Sequence, residues 1–315
     1  MIKLLALCGP TAVGKTKIAM ELCKAFNGEI ISCDSMQIYR GMDIGSAKPS
    51  IEEQAMVKHH LIDICDPKDE FTVSDFSLLA QEKIKEVSEG GRLPVLCGGT
   101  GLYMDSVIYD MDFAAAPPDE SKREEYYRIA EEEGPEALYE ILKGLDPEVA
   151  ERIHPNNIKR VVRAIESAEE GKSISDFSTA LVRREGYDVI MVGLMRDREE
   201  LYDRINKRVD IMMEEGLLDE VRRLMESGLD ENAMSMKGIG YKEIIAHLKG
   251  EVTLEDAITD VKTNSRHYAK RQMTWLRKYG DYEDNPLGIK WFNISEIGSE
   301  EETALEIKEW LRKRL

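Results

Sequence analysis

The octapeptide GPTAVGKT, residues 9 to 16, follows directly on the apolar run LLALC. Its spacing is G-x-x-x-x-G-K-[ST], with Gly9, Gly14, Lys15 and Thr16 at the four signature positions. The glycines let backbone N–H groups turn inward around an anion, and Lys15 adds a point charge. The helix that starts here aims its positive dipole end at the same place, and the Thr16 hydroxyl can meet a magnesium ion (Mg2+). Such a loop calls for a strand before it and a helix after it. Leu4 to Cys8 read as a short buried strand, and Ile18, Leu22 and Phe26 recur at helical spacing. Asn27 and Gly28 form a helix stop. A di- or triphosphate is expected here, whatever hangs from it.

The first hundred residues continue to alternate short apolar runs with helical patterns, as an α/β parallel sheet does. EIISCD (29–34) and RLPVLCGGT (92–100) read as strands that end in polar or glycine-rich turns, where open α/β sheets place ligands. From Phe113 the character changes. AAAPPDE reads as a linker, and the following stretch is acidic and helical, without strand signal. YDVIMVGLMRD (187–197) is again a strand, and KWFNI (290–294) a final one. The expected fold is a P-loop NTPase-like α/β core, residues 1–112 and 187–315, interrupted by a helical insertion domain, residues 113–186.

The chain has 315 residues, 42% hydrophobic and 33% charged, which suits a soluble globular protein. No run approaches the ~20 apolar residues of a membrane span. Five isolated cysteines, without C-x-x-C spacing, predict reduced thiols in a cytoplasmic protein and no zinc. A net charge of −18 argues against nucleic acid until its distribution is considered. RHYAKRQMTWLRKY (266–279) holds five Lys or Arg and no acid. An acidic body with one concentrated basic segment suggests a local polyanion site.

Several side chains carry candidate chemistry. Asp34 ends a strand beside the phosphate loop, placed to act as general base or to ligate magnesium, or simply to cap the turn after it. Asp43 is a weaker alternative. In CGGT, Gly98 and Gly99 permit close backbone approach and Thr100 offers a hydroxyl to the same cleft. The adjacent His59 and His60 point apart on any regular element, so solvated surface histidines are expected, with Asp63 a loop carboxylate. Lys159 and Arg163 lie four apart on one helix face, with Arg160 beside them. In the basic helix, Arg266, Lys270, Thr274 and Arg277 share a face, with Tyr268 and Trp275 near enough for base stacking.

GPTAVGKT, DSMQIYRGMDIGSAKP, HHLIDICDP, CGGTGLY, IHPNNIKRVVRA, GIGYKE and KRQMTWLRK occur in this order. Together they resemble the bacterial tRNA dimethylallyltransferases, or tRNA isopentenyltransferases, over roughly residues 3 to 280. The resemblance implies transfer of a dimethylallyl group from dimethylallyl diphosphate to the exocyclic amino nitrogen of an adenine. That adenine lies immediately 3′ of the anticodon in tRNAs reading codons that begin with U. The family's diphosphate loop falls on Gly9, Pro10, Thr11, Ala12, Val13, Gly14, Lys15 and Thr16. Its general base falls on Asp34, its positioning threonine on Thr100, and a substrate-reaching arginine on Arg123 or the neighbouring Lys122. Asp34, Ser35, Met36 and Gln37 match a tRNA-contacting stretch. Further tRNA contacts fall on Lys159, Arg160 and Arg163, then on Lys237, Gly240, Tyr241 and Lys242. A last set falls on Arg266, Lys270, Arg271, Gln272, Trp275 and Arg277. Magnesium is the expected cofactor, the anticodon stem-loop the expected partner, and a monomer the expected form.

Three other readings use the same loop. A small-molecule kinase leaves the basic helix and the insertion without work. Prenyl transfer to free AMP or ADP leaves the basic segment unexplained. An RNA-binding nucleotide sensor gives Asp34 and Thr100 no role.

Overall fold

The computed structural model describes residues 1–111, 120–171 and 182–315; the linker-like AAAPPDE falls largely outside them. Two compact units emerge: Met1–Asp110 with Arg183–Leu315, and Met111–Val182.

The first unit is built on one six-stranded sheet, every neighbouring pair parallel, in the order β3-β2-β4-β1-β5-β6. The strands are β1 (Ile2–Cys8), β2 (Gly28–Cys33), β3 (His59–His60), β4 (Leu93–Gly98), β5 (Tyr187–Met195) and β6 (Ile289–Asn293). Between β1 and β4 run α1 (Lys15–Phe26), α2 (Ile51–Met56) and α3 (Val73–Glu89), and after β4 comes α4 (Gly101–Ile108). The second unit holds α5 (Glu120–Glu132), α6 (Pro135–Leu145), α7 (Pro147–Ala150) and α8 (Ile158–Glu169). After β5 the first unit resumes with α9 (Arg198–Glu214), α10 (Leu217–Glu226), α11 (Tyr241–Leu248) and α12 (Leu254–Leu276), then α13 (Ile294–Ile297) and α14 (Glu300–Leu311) beyond β6.

β1 shows why the apolar run LLALC is continuous instead of alternating. Leu5 and Leu7 enter one core, with Ile18, Leu22 and Ile307, while Leu4, Ala6 and Cys8 enter the opposite one, with Phe76, Ile84 and Leu96. A strand covered on both faces has no polar side. Asn27 ends α1 in the left-handed region (φ 51°), and its N–H donates to the Cys23 carbonyl. The register aligns Cys8 with Gly98, and Cys33 with Gly98, so the carboxyl ends of β1, β2 and β4 meet at one level.

A third cluster, centred on Tyr39, Met236 and Tyr241, packs the segment after β2 against α10 and α11. The helical unit has its own core of Leu138, Leu142, Val161 and Ile165. No helix among the described residues is long and apolar enough to cross a membrane.

Candidate active site

The loop from Gly9 to Thr16 leads from β1 into α1. Gly14 stands at the N-cap with φ 112°, in the region that favours glycine, and Ala12 is also left-handed at 62°. Two of the loop's carbonyls are held by arginines. Arg204 donates from Nε to the Ala12 oxygen at 2.9 Å, and Arg196 donates to the Val13 oxygen at 3.0 Å. Both guanidiniums also pair with Glu300, the first residue of α14. Tying these carbonyls to arginines leaves loop N–H groups other than those of Thr11 and Val13, which bond Gln272 and the Pro10 carbonyl, to meet an anion. Lys15 Nζ donates to Gly9 and Pro10 carbonyls at 3.0 and 2.8 Å, curling over its own loop. Burial lowers its pKa from the ordinary lysine value.

A cavity of about 620 Å³ opens over this loop. Lys15 and Thr16 line it together with Asp34, Gln37, Tyr268 and Gln272. The cations Arg204, Lys207 and Arg208 of α9 complete its wall, and Ile30, Ile211 and Cys97 add apolar surface. The α9 cations have no counterpart in the sequence reading. Their signal was the i, i+4 pair Arg204 and Arg208 within REELYDRINKRVD, which also reads as an ordinary solvated helix. Cys97 and Cys8 are thiols, not thiolates, since burial pushes them up to about 11 and about 12.

Asp34 Oδ1 accepts the Met36 N–H at 2.9 Å, so one oxygen caps the turn; Oδ2 has no hydrogen-bond partner among the described residues. Thr100 accepts the Ser35 N–H at 3.3 Å. Burial, with the charge of Asp34, raises Tyr268 to about 12. Close approach at Gly98 is real: a Cβ there would fall 2.0 Å from the Cys33 carbonyl oxygen. Gln37 is spent internally, bonded to Ser32 and to the Ala47 carbonyl.

The histidines are not solvated. His60 is buried and hydrogen-bonded to Glu29 at 2.6 Å, because β3 pairs with β2 and carries it inward. His59 lines the cavity, bonds the Val57 carbonyl through Nδ1 at 2.7 Å, and keeps Nε2 buried without a hydrogen-bond partner among the described residues. Burial lowers its pKa. Asp43 and Asp63 both pair with Lys48 at 2.5 Å, outside the cavity.

Three residues expected among RNA contacts are buried instead. Gln272 accepts the Thr11 N–H at 2.8 Å and donates to the Gly99 carbonyl at 3.0 Å, joining phosphate loop to β4. Tyr241 is fully buried and donates its hydroxyl to Glu220 at 2.8 Å. Glu220 also accepts the backbone N–H groups of Asp43, Ile44 and Gly45, holding the segment after β2. Gly240, buried beside Tyr241, is the α11 N-cap and donates to Glu243 at 2.7 Å. Trp275 is half-buried; its indole N–H donates to Asp105 at 3.0 Å and Lys278 covers its ring at 3.6 Å. Arg266 is engaged as well, by Asn206 and Thr263.

Lys237, Lys242, Lys270, Arg271 and Arg277 are exposed, while Ser35 and Met36 are partly buried. In the helical unit Lys159, Arg160 and Arg163 are exposed on α8. Arg123 makes a two-pronged pair with Glu166, at 2.8 and 3.1 Å, and Lys122 pairs with Glu169 at 3.0 Å. Burial raises the Glu166 pKa, but Arg123 and Arg163 outweigh it and the net shift is downward.

The fold and this cavity define a P-loop NTPase-like α/β protein, with a glycine-rich loop, the Asp34 carboxylate and the Thr16 hydroxyl facing one space. The chain belongs to the IPP transferase family, whose description it matches over residues 37–279. It also matches the isopentenyl transferase family over residues 2–71. It is 52% identical over 303 residues to a tRNA dimethylallyltransferase of Alkaliphilus oremlandii, covering 96% of this chain and 95% of that one. A crystal structure of a tRNA isopentenylpyrophosphate transferase from Bacillus halodurans superposes with TM-score 0.73 at 45% identity, covering 99% of this chain and 96% of that one. A eukaryotic dimethylallyltransferase, captured acting on tRNA, superposes with TM-score 0.84 at 27% identity, covering 100% and 81%.

Proposed function

We propose that this enzyme transfers the dimethylallyl group of dimethylallyl diphosphate to the exocyclic amino nitrogen of the adenine immediately 3′ of the anticodon, in tRNAs reading codons that begin with U. The observation that carries this reading is the single cavity onto which the phosphate loop, Lys15 and Asp34 all open. The amino nitrogen attacks the allylic carbon, the carbon–oxygen bond to diphosphate breaks, and the nitrogen's proton passes to the Asp34 carboxylate. An adenine amino group is a weak nucleophile, so taking its proton as the bond forms lowers the barrier. The leaving diphosphate is held by backbone N–H groups and by Lys15, with Arg204 and Arg208 adding positive charge. Thr100, which accepts the Ser35 N–H, positions the acceptor beside Asp34.

Hard oxygen donors, the Thr16 hydroxyl and the Asp34 carboxylate, line the cavity without a cluster of three or more acidic, His or Cys groups among the described residues. That set suits magnesium, which binds through few protein ligands plus substrate phosphates. Thr16 would hold Mg2+, which neutralises diphosphate charge when bound. The helical unit, residues 113–186 in the sequence reading, serves tRNA binding through Lys159, Arg160 and Arg163, and Arg123 or Lys122 reaches the substrates. The enzyme works as a cytoplasmic monomer without zinc.

The test is labelled dimethylallyl diphosphate offered with bulk tRNA, with free AMP, and with neither. Label on tRNA alone is expected. Label on AMP at comparable rate, or on nothing, would overturn the reading.

A further inference from the structure

Helix α12 separates two spaces. Tyr268 and Gln272 face the large cavity, whereas Lys270, Met273, Thr274 and Arg277 face a second groove of about 300 Å³. Its floor is apolar and aromatic: Met195, Leu201, Tyr202 and Met273. Its rim carries Arg198, Lys270 and Arg277, all exposed and none in an ion pair among the described residues. The Arg198 guanidinium lies 5.2 Å from the Tyr202 ring centroid, with Arg266 at 6.0 Å. Pro10 of the phosphate loop also lines the groove.

Unpaired cations in a chain of net charge −18 mark a place where an anion is expected. Lys270 and Arg277 stand seven residues apart, about 10 Å along a helix, too far to serve one phosphate and suited to a strand carrying several. A floor of an aromatic ring, a guanidinium and methionine suits an unstacked base. The thickness of a helix, about 10–12 Å, separates this groove from the reaction cavity. At the stacked spacing of about 3.4 Å per nucleotide a strand covers that in roughly three nucleotides, and an unstacked, more extended strand needs no more.

We propose that this groove is the subsite for a base flanking the target adenine. That base rests against Tyr202 and Met273, beside the Lys270 and Arg277 side chains that the family resemblance already assigns to RNA. Seating one neighbour behind α12 would hold the strand bent while the target base occupies the reaction cavity. The inference rests on the tRNA-modifying reading above.

The experiment uses an anticodon stem-loop RNA and a set of derivatives, each abasic at one loop position other than the target. Tyr202→Leu should raise the KM for intact RNA by about fivefold to a hundredfold, the scale of one base–aromatic stack, and leave the KM for dimethylallyl diphosphate unchanged. On one abasic RNA, within about three positions of the target, that penalty should vanish. Met273→Ala should show a smaller penalty that vanishes on the same RNA, and Tyr202→Phe should behave as the parent. A penalty of equal size on every abasic RNA, or an equal loss in donor KM, would overturn the subsite. RNA that the parent enzyme binds but never prenylates would instead overturn the proposed activity.

Discussion

The phosphate loop and helix α12 meet through Gln272, yet they use their residues in opposite ways. In the proposed reading the loop works through main-chain N–H groups and the side chains of Lys15 and Thr16, while a side chain such as Val13 serves the core. In α12 the candidate contacts are all on side chains, and these divide between inward residues that hold the frame and outward ones that are exposed. Tyr268 and Gln272 line the reaction cavity, while Lys270 and Arg277 stand exposed on the other side. A motif drawn from backbone geometry names its ligand-binding atoms directly. A motif drawn from a helix mixes contact residues with supports, because only the neighbours of each face decide which is which.

If the loop side is where chemistry happens, its variants should lose turnover before they lose RNA. Asp34→Asn should cut turnover at saturating substrates by about 10²-fold or more, the usual scale for a general base, with both substrates still bound in equilibrium assays. Near-normal turnover would remove Asp34 from that role.

Lys15→Ala should lower single-turnover transfer by about 10²- to 10³-fold, the scale for removing one donor to a developing anion. ATP should compete with the donor, since both fit a loop indifferent to what the phosphate carries. Steady tRNA-stimulated phosphate release from ATP would contradict a prenyl-donor loop.

Gln272→Ala asks whether α12 supports the loop. It strands the buried Gly99 carbonyl, and leaving such a group unpaired costs about 1–3 kcal/mol, while the partly buried Thr11 N–H is left facing the cavity. A shift of that size in urea unfolding should accompany a weaker donor KM. Loss of RNA affinity alone would return Gln272 to the contact set.

Lys270→Glu with Arg277→Glu should weaken RNA binding and flatten its salt dependence, while the donor KM holds. An unchanged salt slope would make the outward face merely solvated.

The smallest effect concerns pH. Burial holds the His59 pKa below its ordinary 6.5, so just below that pH the unfolded chain binds more protons than the native one. Stability should therefore fall as pH drops through 6.5, and His59→Gln should reduce that fall in paired unfolding titrations. Identical profiles would show that burial of His59 does not contribute.

Much of the frame was readable along the chain. The strand run LLALC, the glycine spacing and the αL stop at Asn27 are local, since steric limits on a few consecutive residues dictate them. The strand at Tyr187–Met195 was equally plain, being a long apolar run after a polar stretch. The carboxyl end of β2 was enough to bring Asp34 toward the loop, because parallel sheets gather their ligand edge at strand ends.

The fates of His60, Tyr241, Gln272 and Trp275 lay outside any local signal. Each is polar or amphipathic and suits either solvent or a buried partner, and the partner lies far along the chain. Glu29 is 31 residues from His60, and the Gly99 carbonyl is 173 from Gln272. The residue types and spacings therefore settled that a glycine-rich loop of phosphate-loop spacing would join a strand of a parallel sheet to the helix after it. Only tertiary packing settled which motif side chains face the cavity and which hold it open, because a buried polar group must be hydrogen-bonded and its partner is chosen by the fold.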